Sequence, residues 1–152
     1  MILLSGLTIG MIRSMALKER ESALQEWKKL LLRFKTEISF SAKSLTDLIE
    51  ECQEYRFCQY AFEDSFFTQN PIESMKKAGP KILKNSKDNK LYEEFLEELG
   101  ISNVEGQIEH LQLYMNLVSV NLQEAKEDVT QKSKLYIALG CFGAVTICML
   151  MI

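Results

Sequence analysis

An all-α fold is predicted by three features of this 152-residue sequence: proline only at Pro71 and Pro80, no glycine between Gly10 and Gly79, and apolar residues recurring in steps of three and four. No run alternates with period two for long enough to make a strand. Val104, Ile108, Leu111, Met115, Val118, Leu122, Ala125 and Val129 form an unbroken heptad seam, while Leu24, Trp27, Leu31, Phe34 and Ile38 form a second stripe. Two long helices pairing antiparallel within a bundle of about six account for both stripes. Leu113, Tyr114 and Leu117 widen the second one beyond a single seam.

Charge divides the chain into three. Of its residues, 47% are hydrophobic and 26% charged, and every Lys, Arg, Asp and Glu falls between Arg13 and Lys134. Residues 1–12, MILLSGLTIGMI, are uncharged but reach only about 18 Å as a helix, against about 30 Å of bilayer hydrocarbon. With no basic residue ahead of the apolar run and no small-residue cleavage pattern after it, a secretory signal is disfavoured. The expectation is a short or shallow N-terminal membrane segment. Residues 135–152, LYIALGCFGAVTICMLMI, reach about 27 Å and are expected to be a transmembrane helix. Arg13, Lys18 and Arg20 follow the first segment and Lys126, Lys132 and Lys134 precede the last, which places the body, residues 13–134, in the cytoplasm. Gly6 and Gly10, and likewise Gly140 and Ala144, are spaced four apart, as small residues are where helices pack closely in lipid.

Capping chemistry divides the body. Ser44 with Asp47 reads as a capping box, and Asn70 before Pro71 as an N-cap with proline at the first helical position. Gly79-Pro80 is expected to stop that helix, and KNSKDNK, residues 84–90, to be a loop before LYEEFLEEL. Gly100 closes that helix as a left-handed cap, and Ser102 with Glu105 opens the next with another capping box.

Chemistry-bearing patterns are sparse. His110 has no second histidine or cysteine at ligand spacing, so a surface or boundary position is expected rather than catalysis or metal binding. Cys52 and Cys58 are six apart and make no CxxC, Cys141 and Cys148 lie in the C-terminal apolar run, and a cytoplasmic body implies reduced thiols. Glu93, Glu94, Glu97 and Glu98 read as a solvated helix face rather than a general acid and base. The glycines assemble no phosphate-binding loop, so no cofactor is expected, and a net charge of -3 disfavours nucleic acid. The expected class is a non-enzymatic, membrane-anchored helical module for protein contact.

LLLRFKTEISFSAKSLTDLI, LEELGISNVEGQIEHLQLY and KSKLYIALGCFGAVTICMLMI together resemble the stage III sporulation protein AB family across nearly the whole chain. The motif positions are Glu37 and Ile38, Leu99 and Gly100 followed by Glu105 and Gln107, Ala125, and Leu139 with Gly140. The resemblance implies an inner-membrane component of the channel between mother cell and forespore, on the mother-cell side, with a cytoplasmic domain similar to the F-domain of type II secretion platforms. Its implied partners are the sporulation ATPase, protein AA, and the other membrane subunits of the same channel; the apolar ends add the lipid bilayer, and the heptad seam allows contact with a further copy of the chain. The competing expectation is a membrane-tethered helical adaptor with no motor partner.

Overall fold

The computed structural model describes residues 2–41 and 43–150; Met1, Ala42, Met151 and Ile152 lie outside the described residues, as do the side chains of residues 2–10 and of Ile137, Gly140, Cys141, Ala144, Ile147 and Cys148. Six helices follow in order: α1 (Ile2–Phe40), α2 (Leu45–Glu51), α3 (Arg56–Phe62), α4 (Pro71–Ile82), α5 (Ser86–Glu98) and α6 (Val104–Leu150). The described residues contain no strand, in agreement with the all-α expectation.

The two long helices pair antiparallel. Lys35 donates to Gln112 at 2.6 Å, while Arg20 lies 3.4 Å from Glu124 and 3.7 Å from Asp128, so numbering rises along α1 as it falls along α6. Most of both stripes faces inward: Leu24, Trp27, Leu31 and Phe34 are buried on α1, as are Leu111, Val118, Leu122 and Ala125 on α6, whereas Ile38, Ile108, Met115 and Val129 are half-buried and Val104 is exposed. Tyr114 joins the core, but Leu113 and Leu117 remain exposed, so the seam is widened on one side only.

Helices α2 to α5 form a second layer over one half of this pair. The ring of Tyr92 on α5 meets Trp27 edge-on at 5.3 Å and Phe57 on α3 at 5.1 Å, and its hydroxyl donates to the Met75 carbonyl on α4 at 3.1 Å. Burying an aromatic ring of this size stabilises by about 1.5–3 kcal/mol. A Cβ added to Gly79 would lie 2.7 Å from the Tyr92 ring, so the close packing of α4 on α5 requires glycine there.

Several local expectations match. Ser44 caps α2 by accepting from the Asp47 N–H, and Asn70 caps α4 by accepting from the Glu73 N–H with Pro71 next in line. Gly100 adopts φ +84° just beyond α5. Others are corrected. Helix α4 does not stop at Gly79-Pro80 but runs to Ile82 with Pro80 inside. Without a Cβ, Gly79 avoids much of the clash that pushes a pre-proline residue out of the helical region, and the Leu83 N–H still closes the last turn on the Gly79 carbonyl at 2.7 Å. KNSKDNK is mostly helix: the Asn85 side chain accepts from the Lys87 and Asp88 N–H groups and starts α5 at Ser86. The cap of α6 is Asn103, which accepts from the Gly106 N–H at 3.0 Å; Ser102 instead accepts from the Gln107 side chain at 2.9 Å.

The terminal segments are not separate elements. Residues 2–12 form the start of α1 and residues 135–150 complete α6, which continues through the polar EDVTQKSK stretch without a break. Among the described residues no helix is long and apolar enough to cross a membrane, so the expected terminal spans find no support there. The N-terminal apolar run meets Arg13 too early, and the C-terminal run is completed by Met151 and Ile152, outside the described residues.

Candidate functional site

Two features of the α1–α6 pair stand out, one buried and one exposed. The buried one is a polar cluster. Asp88 sits in the first turn of α5, where the positive end of the helix dipole favours a carboxylate, and its side chain is fully enclosed. The Arg20 guanidinium of α1 grips it with two donors, Nε to Oδ2 at 2.7 Å and Nη2 to Oδ1 at 3.2 Å. Asn121 of α6 donates to Oδ1 at 2.9 Å. The hydrogen bonds that Arg20 itself gives Asp88, outweighing the opposing effect of burial, raise the Arg20 pKa above its ordinary value. Glu124, with Lys87 at 2.7 Å, forms a solvated rim, and the hydrogen bond from Lys87 holds the Glu124 carboxyl below its usual range. One carboxylate thus ties α1, α5 and α6 together. The arrangement provides mechanical linkage and leaves no lone pair facing a ligand cavity.

A second tie joins α5 to the start of α6. His110 is buried, contrary to the surface or boundary position expected for it. Its Nε2 lies 2.9 Å from the Phe95 carbonyl, which can only accept, so this nitrogen carries a proton. That carbonyl belongs to the last turn of α5, where helix carbonyls lack intrahelical partners. The imidazole also stacks on the Phe95 ring at 5.3 Å. Nearby, the buried Gln107 accepts from the Gly100 N–H at 2.9 Å and fixes the turn between the helices.

The exposed feature is the end of the pair beyond Arg20 and Glu124. Antiparallel pairing brings the apolar start of α1 and the apolar end of α6 to the same end of the molecule. There Met11, Ile12 and Met15 of α1 and Leu135, Leu139, Phe142, Val145, Met149 and Leu150 of α6 are all exposed. An apolar surface of this extent marks a face that something covers.

The residues singled out from sequence are distributed over these features rather than gathered into one pocket. Glu37 pairs with Arg33 at 2.9 Å and Lys43 at 3.4 Å, Ile38 packs on the core edge, and Leu99 and Ala125 are buried. Gly100 and Gln107 meet in the turn, Glu105 is exposed in the first turn of α6, and Leu139 is exposed at the apolar end. Gly6, Gly10, Gly140 and Ala144 lie outside the residues whose side-chain surroundings are described, as do Cys141 and Cys148. Cys52 and Cys58 are free and buried, and desolvation raises both thiols above their usual pKa. Among the described residues no group of three or more His, Cys, Asp or Glu is placed to hold a metal ion. Sequence reasoning missed Arg20, Asp88 and Asn121; the one available signal was an aspartate three residues after the Asn85 cap.

No match to the chain is found among curated proteins or among solved structures. The family model described as stage III sporulation protein AB matches residues 1–152, the whole chain; the chain belongs to the stage III sporulation protein AB family.

Proposed function

We propose that the chain is a non-catalytic inner-membrane platform of the sporulation channel between mother cell and forespore, coupling a cytoplasmic ATPase to the membrane assembly. Family membership supports the sporulation role. The observation that carries the platform reading is the shape of the α1–α6 pair: one end is held in a tightly packed body, and the other presents exposed apolar side chains from both helices. In this reading the bilayer covers Met11, Ile12, Leu139, Phe142 and their neighbours. Lys18, Arg20, Lys126, Lys132 and Lys134 then lie on the cytoplasmic side, where basic residues near a membrane end favour that orientation. The Arg20–Asp88–Asn121 cluster and the His110 tie stiffen the body, as a part that transmits a motor's movement requires.

Two measurements on the full chain separate the parts of this reading. Carbonate washing of membranes from sporulating cells should leave the chain in the membrane pellet, and release into the supernatant would refute the anchoring. Affinity capture with the tagged sporulation ATPase, from detergent-solubilised membranes of the same cells, should retain the chain. A membrane-bound chain that is not captured would make it a tethered adaptor without a motor.

A further inference from the structure

The outer faces of α1 and α6, turned away from the core, carry complementary patterns. On α1 the segment from Lys28 to Thr36 holds Lys28, Lys29, Arg33 and Lys35 and no acid, with Leu32 exposed to 53% among them. On α6 the segment from Val104 to Gln123 holds Glu105 and Glu109 and, apart from His110, no basic residue. Leu113, Leu117 and Val120 continue the Glu109 side at steps of four, four and three, and all three are exposed, Val120 to 65%. Glu127, seven residues on, closes the stripe with a second exposed acid.

The heights match as well as the charges. Because Lys35 is level with Gln112, Leu32 is level with Met115, between Leu113 and Leu117. By the same register Lys18 is level with Val129, two residues from Glu127, and Arg33, which pairs with Glu37 of its own helix, stands about five residues, or about 7.5 Å, from Glu109. Two molecules standing side by side with their apolar ends pointing the same way would therefore set a basic-flanked leucine against an acid-flanked apolar stripe.

We propose that these faces bind a second copy of this chain, the outer face of α1 on one molecule seating on the outer face of α6 on the next. Since the two faces differ, the contact is heterologous and each added molecule presents a fresh face of each kind, so association proceeds to a ring or a row. Exposed leucines supply the buried centre and the flanking charges set register and orientation. The inference rests on the anchored reading only for the shared orientation of the copies.

The test uses the full chain in detergent micelles, with Cys141 and Cys148 replaced by serine. A Leu32→Cys variant carrying one tag and a Leu117→Cys variant carrying another are mixed and treated with a short bismaleimide. The expected result is a crosslinked product bearing both tags, with little product from either variant alone. Separately, Leu117→Asp should weaken association about tenfold in sedimentation equilibrium without moving the urea midpoint. Arg33→Glu should weaken it severalfold, and combining it with Glu109→Arg should restore it. Products joining Leu32→Cys to itself, or a monomeric chain with no mixed product, would overturn the proposal, as would charge reversals that fail to compensate. The membrane-pellet assay above reports separately on anchoring, so loss of anchoring and loss of self-association are distinguishable.

Discussion

The same two helices behave differently along their lengths. From Ala23 to Phe34 on α1 and from Gln107 to Ala125 on α6, each turn is packed against α2 to α5 and the polar groups are tied by name: Arg20 to Asp88, His110 to Phe95, Gln107 to Gly100. Beyond Arg20 and Ala125 the helices continue, yet among the described side chains Leu17, Val129, Ser133 and Tyr136 are only half-buried while Met11, Ile12, Phe142 and Met149 face outward. Helical geometry is therefore not what separates body from end. Burial is, and it shows that the body is stabilised by its own second layer whereas the end awaits an external one.

That contrast can be broken most severely at its packed half. Trp27→Ala removes a fully buried ring that Tyr92 and Phe95 pack against, and should cost about 3–5 kcal/mol in urea unfolding followed by circular dichroism. Asp88→Ala should be comparable, about 3–5 kcal/mol by the same measurement, because it strands the Arg20 guanidinium and the Asn121 amide. Replacing Arg20 by Met and Asp88 by Leu together should recover most of that loss while leaving the helix content unchanged.

Smaller effects sharpen the comparison. Gly79→Ala would ordinarily favour a helix by about 1 kcal/mol, but the new methyl meets the enclosed Tyr92 ring at 2.7 Å, and a net loss of about 1–3 kcal/mol is expected from the shift in urea midpoint. At the open end, Phe142→Asp should change the unfolding free energy of the body by no more than about 0.5 kcal/mol while depleting the chain from the membrane pellet. The smallest effect concerns Asp64, whose carboxyl is held below its usual pKa by the hydrogen bond from Lys77 and, less, by that from Ser74. A depressed carboxylate stabilises above its unfolded-state pKa, and that contribution is lost as pH falls through the lowered value. Lys77→Met should accordingly flatten the fall of the urea midpoint just below the ordinary carboxylate range.

What could be read in advance follows the distance over which each signal acts. The seams of α1 and α6, the Asn70–Pro71 start and the Gly100 stop depend on residues within a turn or two, and all were legible. Pro80 was misread because Gly79, taken as half of a stop signal, serves instead to admit the Tyr92 ring from another helix. KNSKDNK looked like a loop by composition, yet Asn85 is a cap and Asp88 is enclosed by Arg20 and Asn121, 68 and 33 residues away in sequence. The His110 tie was hidden for the same reason, its partner being a backbone carbonyl that no sequence pattern marks.

The uninterrupted course of α6 has one more consequence. Between Gln107 and Leu139 it contains neither glycine nor proline, so the angular position of its exposed end is locked to that of its buried seam. Leu135, Leu139, Phe142 and Met149 share one azimuth, and a helix advances about 100° per residue. A single residue inserted between Lys126 and Lys134 would swing that azimuth by about 100° relative to the body, whereas seven residues would return it to within about 20°. The helix thus works as a keyed shaft: twisting the body by a given angle turns the apolar end by the same angle, with no joint in between to absorb it.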